Sequence, residues 1–153
     1  MAKEQASTEQ EAPQVTLNIQ KLYIQDLSFE SPHAPEVFMQ EWQPEANIEI
    51  NTNNDQLDEN LYEVTLQVTL TAKAKEQTAF LVEVKQVGVF NISGIDVSQM
   101  GAILGSYCPG ILFPYAREAI ANLISKGGFP AINIAPVNFD VLYQQAQQQK
   151  ATT

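Results

Sequence analysis

Polar and apolar residues alternate strictly from Tyr62 to Ala72. Tyr62, Val64, Leu66, Val68, Leu70 and Ala72 share one parity, and Glu63, Thr65, Gln67, Thr69 and Thr71 share the other. A period of two puts one set on each face, so this segment predicts a half-buried strand. Thr78 to Ile92 predicts a second strand, with Phe80, Val82, Val84, Phe90 and Ile92 on one face and Leu81, Val87 and Val89 on the other. A strand apolar on both sides requires cover on both sides. Val15 to Glu30 predicts a third, but its phase slips. Val15, Leu17 and Ile19 share one parity, Leu22 and Ile24 the other, and Leu27 and Phe29 return to the first. A bulge, or burial on both faces, accounts for such slips. Ile48 and Ile50 alternate with Glu49 and Asn51 as a short strand, and NTNNDQLDEN after them predicts a polar turn. Ser31 to Pro44 carries three prolines and predicts a long loop.

The period changes after Gly94. Asp96, three residues before Gln99, is a helix-start signal, and Met100, Ile103, Leu104 and Tyr107 continue as an apolar stripe. Pro109 and Pro114 predict a break or kink, because each lacks an amide donor and crowds the preceding turn. The residue four earlier is glycine in both cases, Gly105 and Gly110, where the backbone adapts most readily. Ala116, Ala119, Ile120, Leu123 and Ile124 carry the helix to a stop at Gly127-Gly128. Phe129 to Pro136 predicts a loop, and Val137 to Gln147 a second, shorter helix. Residues 1–13 are polar and charged and predict a disordered tail; 14–147 predict one domain, and 148–153 a fraying end.

Composition narrows the function. The chain has 153 residues, with 18 acidic against 8 basic side chains and a formal net charge of −10. That balance argues against nucleic acid and anionic membrane surfaces as partners, and it attracts basic ones. No run of about 18 apolar residues predicts a membrane span, and the first residues, MAKEQASTEQEAP, lack the apolar stretch of a signal peptide. The single cysteine, Cys108, rules out an internal disulfide and fits a reducing cytoplasm. The long helix is apolar nearly all round. Together with a strand apolar on both faces, it offers more apolar surface than four strands and two helices can cover, so the chain is expected to form a homo-oligomer.

Candidate chemistry is sparse. His33 is the only histidine, and neither a G-x-S-x-G elbow nor a second catalytic element accompanies it. Cys108, between Tyr107 and Pro109, reads as an inert small hydrophobe, and no cysteine or histidine cluster suits zinc. No phosphate-cradling glycine motif is present, so no cofactor is expected. Asp26 and Glu30 share one parity of the first strand, and Glu83 lies beside Leu81 on the face of its strand opposite Val82 and Val84. These acids are either a solvated sheet face or a docking patch for a basic partner. Phe38, Met39 and Trp42 lie in the proline-rich loop and either fold onto the core or line a groove for apolar peptide.

The segment YCPGILFPYARE (107–118) closely resembles the corresponding stretch of the SecB protein-export chaperones. LYIQDLSFESPHAPEVF (22–38), QEWQPE (40–45), QTAFLVEV (77–84), FNISGI (90–95) and FPAINIAPVNFDVLY (129–143) resemble the same family, in order, over roughly residues 15–143. The resemblance implies an α+β fold: a four-stranded antiparallel sheet with one long kinked helix and one shorter C-terminal helix. It also implies a homotetramer, a dimer of dimers, with the long helices sandwiched between sheets. The function it implies is that of an ATP-independent chaperone, with no cofactor, that keeps unfolded precursor proteins export-competent and delivers them to the SecA ATPase. Asp26, Glu30, Leu81 and Glu83 match the family's SecA-docking surface, to which SecA presents a basic, zinc-bearing tail. Phe38 and Trp42 match a wall of the client groove, with Ile132, Ile134, Phe139, Leu142 and Tyr143 expected as its opposite wall. Val82, Val84 and Gln86 match positions that influence tetramer assembly; where the family often has cysteine, this chain has Val82. Family members commonly end in a longer, acidic tail that adds to the SecA contact, whereas this chain ends in QQAQQQKATT. A small-ligand enzyme using His33 or the acidic pair, and a SecB-like chaperone with clients outside export, are the alternatives. Light scattering on the purified chain should give a mass well above one copy at micromolar concentration; a stable monomer contradicts the surplus of apolar surface.

Overall fold

The structure, a computed structural model, describes residues 14–151. The expected tail at 1–13 lies outside the described residues, as do Thr152 and Thr153. The strict alternation becomes β3 (Leu61–Ala74), and the doubly apolar segment becomes β4 (Gln77–Ser93). They pair antiparallel, with Val68 opposite Val84 and Leu70 opposite Val82, and their apolar parities form one buried face. Lys75 and Glu76 join them, both at positive φ (50° and 67°). That left-handed pair matches the twist of a two-residue hairpin, although both side chains disfavour it.

β1 (Thr16–Glu30) runs antiparallel to β4 along the opposite edge from β3. Its phase slips are bulges. The register shifts between Ile19 and Lys21 and again between Ile24 and Asp26, leaving Gln20 and Gln25 as the extra residues. Each bulge returns the next apolar set to the same side: Ile19 faces Phe90, Ile24 faces Gln86 and Phe29 faces Val82. β2 (Glu45–Asp58) completes the order β1-β4-β3-β2. The expected polar turn over NTNNDQLDEN is corrected here. Asn51–Asp58 continues β2, and only Glu59 and Asn60 turn. Asn and Asp disfavour strands alone, but the ladder from Glu45–Lys73 to Asp58–Leu61 pairs this segment, and an edge strand leaves its polar side chains in water. Gln56 Nε2 closes the turn by donating to the carbonyls of Asp58 (3.2 Å) and Glu59 (3.1 Å).

α1 (Val97–Ala102) starts at Asp96, whose Oδ1 accepts a hydrogen bond from the Ser98 amide at 3.3 Å. A π turn over Ile103–Tyr107 leads directly into α2 (Cys108–Lys126). In that turn the Cys108 amide donates to the Ile103 carbonyl, five residues back, so the bonding pattern widens just ahead of Pro109. Pro114 lies inside α2, one turn after Gly110, without ending it. α2 buries Cys108, Leu112, Phe113, Ala116, Ile120 and Ile124 against β4 and β3. It stops in a Schellman arrangement: the Gly128 amide donates to Ser125, the Phe129 amide donates to Ile124, and Gly128 takes the positive φ (85°) this requires. α3 (Phe139–Ala151) starts two residues later than expected and ends four later. Asn138 Oδ1 accepts from the Val141 amide at 3.2 Å and caps it. Residues 148–151, expected to fray, are therefore helical.

Two predictions follow from the packing. Lys75→Asn with Glu76→Gly should stabilise the fold by about 1 kcal/mol in urea unfolding, because the turn then holds residues that favour positive φ. Cys108 has no exposed surface, and burial pushes its thiol from the ordinary 9.0 up to about 12. The folded chain holds it protonated where the unfolded chain ionises it, so its contribution to stability is full below about pH 9 and fades between pH 9 and 12. Alkylation of Cys108 at pH 8.5 should occur only as fast as the chain unfolds.

Candidate functional site: an acidic sheet face and an aromatic pocket

The pairing of β1 with β4 sets Asp26 opposite Lys85, Ser28 opposite Glu83 and Glu30 opposite Leu81. Asp26, Glu30, Leu81 and Glu83 thus meet on the sheet face turned away from the helices. Glu83 is held by neutral donors: Gln67 Nε2 reaches Oε1 at 2.9 Å and Thr69 Oγ1 reaches Oε2 at 3.4 Å. These bonds orient the carboxylate without cancelling its charge. Glu49 and Glu63 share this face, against Lys21 and Lys85, so its sign is negative. The Tyr23 hydroxyl donates to Glu63 Oε2 at 3.1 Å. Burial raises the Tyr23 pKa, helped by that hydrogen bond and by the Glu63 charge. Tyr23 stands opposite Val87, which is fully buried on this face. The second apolar face of β4 is therefore narrow and partly roofed within the subunit.

The second site forms where α2 ends. After a 3-10 turn (Glu36–Met39) the backbone extends at Gln40 (φ −93°, ψ 157°), so Gln40 and Trp42 face inward while Glu41 and Gln43 point out and bond each other at 3.2 Å. The Schellman turn places the Phe129 ring centroid 4.9 Å from Phe38, 5.3 Å from Trp42 and 4.9 Å from Phe80, with Phe29 stacked behind Phe80 at 5.7 Å. A hollow of about 200 Å³ opens here, enough for one large side chain, and Val37, Phe38, Gln40, Trp42, Gly128, Phe129 and Pro130 line it. Phe38 remains 47% exposed at its rim.

The expected opposite wall is not part of this pocket. Ile134 and Phe139 are buried in the core, Phe139 edge-on to Phe113 at 5.7 Å, and Ile132 packs half-buried against it. Phe139, Leu142 and Tyr143 instead line a separate hollow of about 290 Å³ between β2 and α3, with Ile50, Thr52 and Gly105. Tyr143 lies so close over Gly105 that a Cβ there would sit 2.6 Å from its ring. A wider hollow of about 720 Å³ separates Ile103, Tyr107 and Ile111 from Val137 and Phe139, and the Ser106 hydroxyl bridges it to the Asp140 carboxylate. Val82, Val84 and Gln86 are buried beneath the helix, and Gln86 Nε2 donates to the Tyr23 carbonyl at 3.2 Å. Phe129 and Gln40, central to the pocket, escape a sequence reading; the only local hint is an aromatic residue placed directly after a Gly-Gly helix stop.

His33 Nδ1 lies 3.1 Å from the Thr78 carbonyl at the surface. Among the described residues no group of three acidic, cysteine or histidine side chains could hold a metal, and no helix is long and apolar enough to cross a membrane. Residues 9–150 match the family described as preprotein translocase subunit SecB. The protein-export protein SecB of Nitrosococcus oceani is 52% identical over 145 residues, covering 94% of this chain and 88% of that one. The fold is also that of a SecB-like chaperone of Mycobacterium tuberculosis solved with an antitoxin peptide (TM-score 0.62, 14% identity, 79% of this chain and 90% of that one). With a family match over nearly its whole length and half its residues shared with a SecB, the chain belongs to the SecB family: it is a protein-export chaperone and not an enzyme.

Proposed function

We propose that this chaperone works in the cytoplasm as a homotetramer, a dimer of dimers, that holds extended segments of unfolded precursors on its helix side and delivers them to SecA through the opposite sheet face. One observation carries the reading: a single sheet keeps an uncharged aromatic pocket on one side and Asp26, Glu30, Leu81 and Glu83 gathered on the other. A client and a basic SecA tail can then occupy the molecule together. Family resemblance supports SecA as the partner, and the negative face supplies the complementary charge. Assembly is supported by apolar surface left open at both layers. Ile19, Ile24 and Leu27 on β1 and Tyr107 and Tyr115 on the outer side of the helix are each 41–54% exposed.

Holding is passive. Burying one large side chain contributes about 1.5–3 kcal/mol, whereas micromolar affinity needs about 8 kcal/mol. One pocket per client cannot suffice, so several pockets and hollows across a tetramer act together on one chain. Selectivity then follows from being unfolded, since only unfolded segments present apolar side chains at that spacing. A tetramer carries a formal charge of −40, four times the −10 of one chain, which keeps this apolar surface in solution and draws basic clients.

Glu83→Lys should weaken SecA binding about tenfold or more, most at low salt, while the arrest of precursor refolding survives. Trp42→Ala should do the reverse. A Glu83→Lys protein that loses both activities equally would sink the division between the two faces.

A further inference from the structure

We propose that the Gln40 carboxamide recognises the peptide backbone of an extended client segment whose side chain fills the aromatic pocket. This rests on the reading of that pocket as a client site. Gln40 Oε1 is closed off from water and has no hydrogen-bond partner, the one side-chain atom in that condition among the described residues. Leaving a buried acceptor unpaired is unfavourable and rare, because it loses its water bonds without replacing them. Local structure offers no remedy. Glu41 and Gln43 face outward and bond each other, and the Gln40 backbone is fixed by its own amide donating to Val37 at 3.4 Å.

The position gives the unpaired group a purpose. Gln40 lines the same hollow as Phe38, Trp42 and Phe129, where every other lining side chain is apolar or aromatic. A carboxamide presents an N–H donor and a C=O acceptor side by side, which matches the N–H and C=O that one residue of an extended chain turns to the same side. Rotation of this half-buried side chain about its own torsions turns both toward a segment seated in the pocket. In helices and sheets those backbone groups are already bonded; in an unfolded segment they are free. The pocket therefore reads two properties at once, a large apolar side chain and an unbonded backbone beside it. The ligand class is an extended peptide with an aromatic or large aliphatic residue flanked by free amides.

The test uses the full chain and a fluorescent, unstructured peptide bearing spaced phenylalanines. Copies of the peptide are N-methylated at each phenylalanine or at the residue after each. Gln40→Met keeps the shape and removes the polar head. It should weaken binding of the parent peptide roughly fivefold or more. One methylated copy should lose a similar factor against the wild type and nothing further against Gln40→Met. The variant's melting temperature should equal or exceed that of the wild type, since an unpaired acceptor has been removed. Unchanged affinity in Gln40→Met, or a methylation effect of the same size in both proteins, overturns the proposal, as does a lower melting temperature. If Trp42→Ala leaves peptide binding intact, or the wild type ignores the peptide, the pocket reading fails and takes this one with it. Binding that needs Trp42 but is indifferent to Gln40 and to methylation overturns the Gln40 role alone.

Discussion

An α-helix with its side chains is about 10–12 Å across, while four strands spaced at about 4.8 Å span about 14 Å between the outer two alone. One long helix cannot cover such a sheet. α2 lies over β4 and β3, and the rest of the molecule follows from that shortfall. The inward side of β1 stays open at Ile19, Ile24 and Leu27, and β2 stays exposed along nearly its whole length. Beyond the end of α2, Trp42 from the loop between β1 and β2 and Phe129 after the turn at Gly127-Gly128 cover Phe80, a core ring that is fully buried. The cover is aromatic, and the pocket opens within it.

The two faces of the sheet differ in what they leave unsatisfied. The helix side leaves apolar surface and one unpaired carboxamide oxygen. The far side leaves negative charge held by neutral donors such as Gln67 and Thr69, the complement of the positive partner proposed for it. Neither side requires a reaction. Between the two faces, β3 and β4 are joined by an antiparallel ladder that runs without a register shift from Leu61 to Ala72.

Several elements could be read directly. The alternation from Tyr62 to Ala72, the Asp96 helix start and the Gly127-Gly128 stop each depend on residues within a few positions of one another, and each stands where the pattern placed it. The meeting of Asp26, Glu30, Leu81 and Glu83 on one face follows from parity in two strands once those strands pair. Other features depend on which distant segment arrives as a partner. Asn51–Asp58 looks like turn sequence, and pairing with β3 makes it strand. Ile134 and Phe139 are buried, and Phe139 also borders the hollows beside α3.

Residue order alone therefore specified the strands and helices with strong local periods, the caps that end them, the negative charge and the family. It even announced the irregularity of β1, by breaking phase twice. Only the folded arrangement decided that Gln20 and Gln25 are the residues set aside to keep one apolar face. It also brought Phe38, Trp42, Phe80 and Phe129 together around a small hollow and left the oxygen of Gln40 within its wall without a donor. Periods and caps are interactions between near neighbours and are written into the order of residues. Burial and hydrogen-bond satisfaction depend on which distant segments arrive, and only packing fixes that.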